Sequence, residues 1–170
     1  MADVDDFDAF YAAASRRLVG QVFAMVGNLS EAEDAVQEAF CRAWPRWANL
    51  RTYADPEGWI RTVAYRIAVS SWRKAVNRLL AHRRAAENND VPGANTDHLA
   101  LLEALKRLPQ QQRRVLVLHH LVGLSVQEIA EEIGVPPGTV KSRLARGRQA
   151  LAMELRDAED LSEVEGGQHV

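Results

Sequence analysis

The sequence predicts an all-α protein made of two small helical domains joined by a flexible linker. Three observations carry that expectation. Apolar residues recur three and four apart along most of the 170-residue chain, which is the spacing of a helix and not of a strand. Residues that start and stop helices punctuate those stripes. Residues 85–98 (AAENNDVPGANTDH) lose the stripe and fill with Asn, Asp, Pro and Gly. The chain therefore divides into a first domain over 1–84, a linker over 85–98, a second domain over 99–156 and an acidic tail over 157–170, read as frayed.

In the first domain Phe7, Phe10, Tyr11, Ala14, Leu18, Val22 and Met25 recur at helical spacing. Ser30 followed by Glu33 has the pattern of a capping box, and opens a helix whose inward stripe runs Val36, Phe40, Ala43 and Trp47. The outer surface of its first half carries Glu31, Asp34, Gln37 and Glu38, a solvated acidic face or a docking surface for a basic partner. Cys41 falls within this pattern and reads as a small buried or half-buried hydrophobe. Asp55-Pro56 supplies an N-cap and a first-turn proline for a helix from about Glu57 to at least Lys74. Trp59, Ile60, Val63 and Ile67 form its inward stripe, and Arg61, Tyr65, Ala68 and Trp72 lie on a different face. That second face has two readings. Its rings can stack on unpaired bases while guanidinium groups hold the backbone, or they can pack against a neighbouring helix. The acid-free basic run that continues to Arg84 favours nucleic acid.

The second domain begins with Leu99, Leu102, Leu105 and Leu108, a helix ended by Pro109, and continues with Val115, Leu116, Leu118 and Leu121 before Gly123. The stretch Leu124–Leu151 then has the pattern of a helix-turn-helix. Ser125 and Glu128 make a capping box, and Ile129 and Ile133 give an apolar stripe. Gly134 can take a positive φ at the helix end, and Pro136-Pro137-Gly138 stops the helix from running on. On the next helix Val140, Leu144, Gly147 and Leu151 share one side. Thr139, Ser142, Arg146 and Gln149 point roughly the other way, with Lys141, Arg143 and Arg148 on the flanks. That split suits a helix seated on an apolar base and offering donors to phosphates and base edges in a major groove.

A formal net charge of −2 conceals strong segregation. From Arg61 to Arg84 every charged residue is basic, and Lys141 to Arg148 contains no acid. Acid collects at Asp3–Asp8, Glu31–Glu38 and Glu154–Glu165. Two separate basic surfaces are an electrostatic footprint for phosphate. The six carboxylates of Glu154–Glu165 could fold back over the basic helix when DNA is absent. Enzyme classes find little support: there is no HExxH, no Gly-rich phosphate loop and no GxSxG, and no catalytic, cofactor or metal residues are assigned. The single cysteine allows no intrachain disulfide. No signal peptide or membrane-length apolar run is seen, so a cytoplasmic protein without membrane insertion is expected.

These segments resemble the extracytoplasmic-function family of bacterial RNA polymerase sigma factors. LSEAEDAVQEAFCRAWPRW (Leu29 to Trp47) and DPEGWIRTVAYRIAVSSWRK (Asp55 to Lys74) are similar to that family's region 2. LPQQQRRVLVLHHLVGLSVQEIAEEIGVPPGTVKSRLARGRQAL (Leu108 to Leu151) is similar to its region 4. The resemblance implies a protein with no chemistry of its own that binds core polymerase, recognises −10 and −35 promoter elements and promotes initiation. It implies that Asp34, Gln37 and Glu38 dock the clamp coiled coil of the largest subunit, and that the flap of the second-largest subunit is a further contact. It also implies that Arg61, Tyr65, Trp72, Arg73 and Lys74 meet the −10 element and its opened strand. Thr139, Lys141, Ser142, Arg143, Arg146 and Arg148 would meet the −35 element, and an anti-sigma factor is a further partner. The linker would pass near the active channel of the polymerase. Ser70-Ser71 departs from the family, which often has an acidic residue there. A homodimeric helix-turn-helix regulator of duplex DNA is the alternative, and the first domain discriminates: a regulator needs a dimer or sensor surface there.

Overall fold

The computed structural model describes residues 2–81 and 96–166, with the backbone alone for 2–3, 72–81, 96–98 and 158–166. Among the described residues every regular element is helical. They fall into two units, Met1–Asp90 and Val91–Val170.

In the first unit α1 (Ala2–Val26), α2 (Leu29–Ala43) and α4 (Pro56–Ala81) pack on one another in all three pairings, with a short α3 (Trp47–Leu50) between the last two. The stripe expected on α1 is buried at Ala14, Leu18, Val22 and Met25. Each large side chain of this kind contributes about 1.5–3 kcal/mol on burial. Gly27 takes φ 82° and closes α1, its N–H reaching the Phe23 carbonyl at 2.7 Å. Asn28 then caps α2, accepting from the Glu31 N–H at 3.0 Å. The capping box expected at Ser30–Glu33 is therefore corrected: Asn28 does that work two residues earlier. The helix expected to carry Trp47 also stops sooner. Pro45 cannot donate into an α ladder, so Trp44–Arg46 tightens into a 3₁₀ turn and Trp47 opens α3. Trp47 is buried there, stacked on Phe10 at 4.8 Å, edge-on to Phe7 at 5.2 Å, and donating its indole N–H to Asp6 at 3.2 Å. Cys41 is exposed, which corrects the expectation of a buried thiol.

Helix α4 carries the largest correction. Among its described side chains Ile60, Arg61, Ala64, Tyr65 and Ala68 are buried, as is Gly58, while Trp59, Val63 and Ile67 are only half-buried. At roughly 100° per residue the buried arc centres on Ala64 and Ala68. Those small side chains let α4 approach α1 and α2 closely but carry little hydrophobic weight. The larger Trp, Val and Ile drew the sequence-based face to one side of the true one. Asp55 caps the helix as expected, accepting from the Gly58 N–H at 2.8 Å. Its other oxygen lies 3.5 Å from the guanidinium of Arg61, which also donates to Gln21 at 3.5 Å. Arg17 of α1 pairs with Glu57 in the first turn of α4.

In the second unit α5 (Thr96–Arg107), α6 (Gln110–His120) and α7 (Val126–Ile133) each pack on α8 (Pro137–Gly166). Leu105, Leu108, Val115, Leu116, Leu118, Ile129, Val140 and Leu144 form the core. Helix α5 starts at Thr96, inside the stretch assigned to the linker; linker residues 85–95 lie outside the described residues. Leu121, expected within α6, instead follows its end and is exposed. Of the stretch read as a frayed tail, residues 167–170 lie outside the described residues, and residues 157–166 continue α8 to Gly166. Its backbone is one continuous helix, so residues 157–166 do not fold back over its own basic half.

Candidate nucleic-acid interface

The second unit builds a helix-turn-helix from local rules. Ser125 Oγ accepts from the Glu128 N–H at 3.2 Å, and the Glu128 carboxylate accepts from the Ser125 N–H at 2.8 Å. That reciprocal pair is a complete capping box. Gly134 ends α7 in the left-handed region, at φ 70° and ψ 41°, donating to the Ala130 carbonyl at 3.0 Å. Pro137 opens α8, where a first-position proline costs no hydrogen bond. Gly147 brings α8 against α6: a Cβ there would lie 3.0 Å from Leu116 Cδ1 and 3.4 Å from Gln112 Cβ.

This seating fixes which side chains of α8 face outward. Val140, Leu144 and Gly147 are buried, and Leu151 is half-buried. Lys141, Ser142, Arg146 and Arg148 are exposed, and Thr139 and Arg143 are half-buried. The Ser142 hydroxyl donates to the Thr139 carbonyl at 3.0 Å. Arg148 Nε donates to His120 Nε2 at 3.4 Å. Four cations lie within two turns of one helix, clear of its apolar base, which is the arrangement a polyanion recognises.

The first unit offers two outer surfaces. Asp34, Gln37 and Glu38 are exposed together on α2, with Glu38 accepting from Arg42 at 2.8 Å. Beside them Phe7, Asp8, Tyr11, Gln37, Phe40, Cys41 and Trp44 line an open groove of about 470 Å³. Another groove, of about 350 Å³, lies between α2 and α4 and is lined by Arg42, Val63, Arg66, Ile67, Ser70 and Ser71.

Of the residues expected at the −10 element, the structure describes the side chains of Arg61 and Tyr65 alone. Arg61 is 2% exposed and Tyr65 8%, so both belong to the core and neither is presented to a strand. For these two the packing alternative holds. The side chains of Trp72, Arg73 and Lys74 lie outside the described residues. Two features escaped the sequence. Arg42 sits on an otherwise acidic helix and only the packing of α2 on α4 brings it to Arg66. Tyr53, on the turn before α4, is 53% exposed, and no periodicity marks a loop residue.

Comparison with known proteins identifies the two units separately. Residues 10–78 match the model of sigma-70 region 2, and residues 98–151 match that of sigma-70, region 4. The ECF RNA polymerase sigma factor SigW of Bacillus subtilis is 30% identical over 151 residues, covering 79% of this chain and 81% of that protein. The RNA polymerase sigma-E factor of Streptomyces coelicolor is 27% identical, over 91% of this chain and 89% of that one. Among solved structures, the sigma factor RpoE in complex with the anti-sigma factor NepR from Bartonella quintana superposes with a TM-score of 0.76 at 22% identity, covering 89% of this chain and 97% of that one. That likeness speaks to the fold. Two region models in the right order and a relative matched over most of its length leave one assignment: the chain belongs to the extracytoplasmic-function family of RNA polymerase sigma factors.

Proposed function

We propose a division of labour by which this chain performs its sigma-factor role of binding RNA polymerase and recognising promoters. Bond formation belongs to the polymerase. Helix α8 enters the major groove of the −35 element, with Ser142 and Arg146 towards base edges. Thr139, Lys141, Arg143 and Arg148 hold the phosphates. The exposed acid and amide of Asp34, Gln37 and Glu38 dock the clamp coiled coil of the largest polymerase subunit, and the flap of the second-largest subunit engages the second unit. The α2–α4 groove is lined by Arg42 and Arg66 and reaches Ser71, the residue before Trp72, Arg73 and Lys74 in the chain. Together they hold the opened −10 strand. An anti-sigma factor, the partner in the RpoE–NepR complex, would compete for these surfaces.

The observation that carries this reading is the outward set on α8, where exposed donors sit opposite a fully buried Val140 and Leu144. Purified core polymerase and a promoter library test it. The chain should bind core polymerase and give specific transcripts. Asp34→Lys with Glu38→Lys should weaken polymerase binding without changing the melting curve. Core affinity unaffected by that double reversal removes the docking role. Failure of the full chain to bind core polymerase at all removes the whole scheme.

A further inference from the structure

Where α6 ends against α8, His120 and Arg148 meet through the 3.4 Å hydrogen bond from Arg148 Nε to His120 Nε2. Both residues are exposed. A ring nitrogen that accepts is unprotonated, so this contact suits a neutral His120 with its proton on Nδ1. The neighbouring His119 is fixed differently: its Nδ1–H donates to the Leu124 carbonyl at 2.8 Å. The two rings lie edge to face, 4.8 Å apart. A second proton on His120 would set two donors against each other, with a guanidinium in front and a second imidazole alongside.

We propose that His120 and Arg148 form a phosphate clamp that takes up a proton when duplex DNA binds. The proposal rests on the groove-reading role of α8. Arg148 stands on a flank of that helix, where the DNA backbone passes when the outer face is in the groove. A phosphodiester oxygen placed between Arg148 and His120 accepts from both. Its negative charge replaces the opposition of two donors with attraction for each. His120 protonated on Nε2 then holds the phosphate beside Arg148, so binding and proton uptake are one event.

The charges around His120 fit that role. In the free protein partial burial, then His119, then Arg148, hold it below the ordinary histidine range. Helix α7 also packs on α6 and brings Glu128, Glu131 and Glu132 to the unit. Glu128 is engaged at the Ser125 cap and Glu131 accepts from Gln127 at 2.9 Å, and the charges that act on His120 are His119 and Arg148. A phosphate raises the titration of His120 in the complex above that in the free protein. Affinity is therefore lowest above both titrations. It rises as pH falls through that of the complex and levels off below that of the free protein, by roughly tenfold for each pH unit separating the two.

The test uses the full chain and a pooled random-sequence duplex at low salt, followed by fluorescence anisotropy from about pH 8 to about pH 6. Wild-type protein should bind roughly three- to tenfold more tightly at the acid end. His120→Gln should lose that dependence, His120→Arg should bind tightly across the range, and His119→Gln should keep the wild-type slope. Melting curves at both ends of the range confirm that each variant is folded. In NMR spectra of the same protein the His120 ring should titrate at higher pH with DNA than without. Binding that is flat with pH, a slope that survives His120→Gln, or a ring titration unmoved by DNA each overturns the clamp and leaves the groove-reading role standing. No duplex binding at any pH overturns both.

Discussion

Asp55 holds two partners at once, and Gly58 makes this geometry possible. A Cβ at position 58 would lie 2.3 Å from Asp55 Oδ2. Gly58→Ala must therefore push the carboxylate off both the helix cap and Arg61, at a cost of about 1–2 kcal/mol. The measurement is the denaturant midpoint of the first unit. Asp55→Asn, which keeps an acceptor for the cap and loses only the charge, should cost less. A second contrast separates a buried ring from an exposed one. Tyr65→Ala removes a buried ring and should destabilise the unit by about 3 kcal/mol. Tyr53→Ala removes an exposed ring and should leave the melting curve unchanged. The sequence made the Asp55 cap legible because a cap is set by neighbours in the chain. It misplaced Arg61 and Tyr65 because their burial depends on two other helices, and because a basic residue beside a ring has the same spacing whether it packs or binds. Arg42 beside Arg66 was illegible for the same reason, with 23 residues of chain between them.

Elements were legible in proportion to how local their signals are. The capping box, the left-handed Gly134 and the proline start of α8 are all rules of a few consecutive residues, and the helix-turn-helix was readable almost to the residue. The start of α2 was misread because Ser30 and Glu33 have the right spacing, whereas Asn28 follows the residue that breaks α1 and so takes the cap first. The capping box makes a pH prediction. Its two hydrogen bonds with Ser125 hold the Glu128 carboxyl below its ordinary range. A depressed folded-state value gives stability that is present above the unfolded-state value and is lost as pH falls through the folded one. Glu128→Gln preserves the reciprocal geometry without a titrating group. The variant should therefore lose less stability than the wild type between about pH 6 and about pH 3, read as the change in denaturant midpoint of the second unit. A wild-type midpoint that falls no further than that of the variant would show that the charge on Glu128 contributes nothing.

Over the whole molecule the net charge of −2 predicts little, because α8 alone carries both signs at opposite ends. Its 30 residues extend about 45 Å at 1.5 Å per residue. Lys141, Arg143, Arg146 and Arg148 lie in the first half, while Asp157, Glu159, Asp160, Glu163 and Glu165 lie in the second. The sequence displayed that polarity but read the acidic stretch as a frayed tail, one that could fold back over the recognition surface. A continuous helix replaces contact with distance. The centres of the two charge groups are about 24 Å apart along the axis. That separation exceeds two Debye lengths at physiological salt, near 8 Å each, but falls within the roughly 30 Å reached at about 0.01 M. The acidic half therefore acts on DNA through space, and only when ions are scarce. Truncation after Leu155 should raise affinity for non-promoter DNA at about 0.01 M salt and leave it unchanged at about 0.15 M. Promoter selectivity at the higher salt should be the same with or without the segment. A gain that persists undiminished at physiological ionic strength would mean that the segment touches the DNA-reading surface directly, and that α8 bends or unwinds beyond Leu155 in solution.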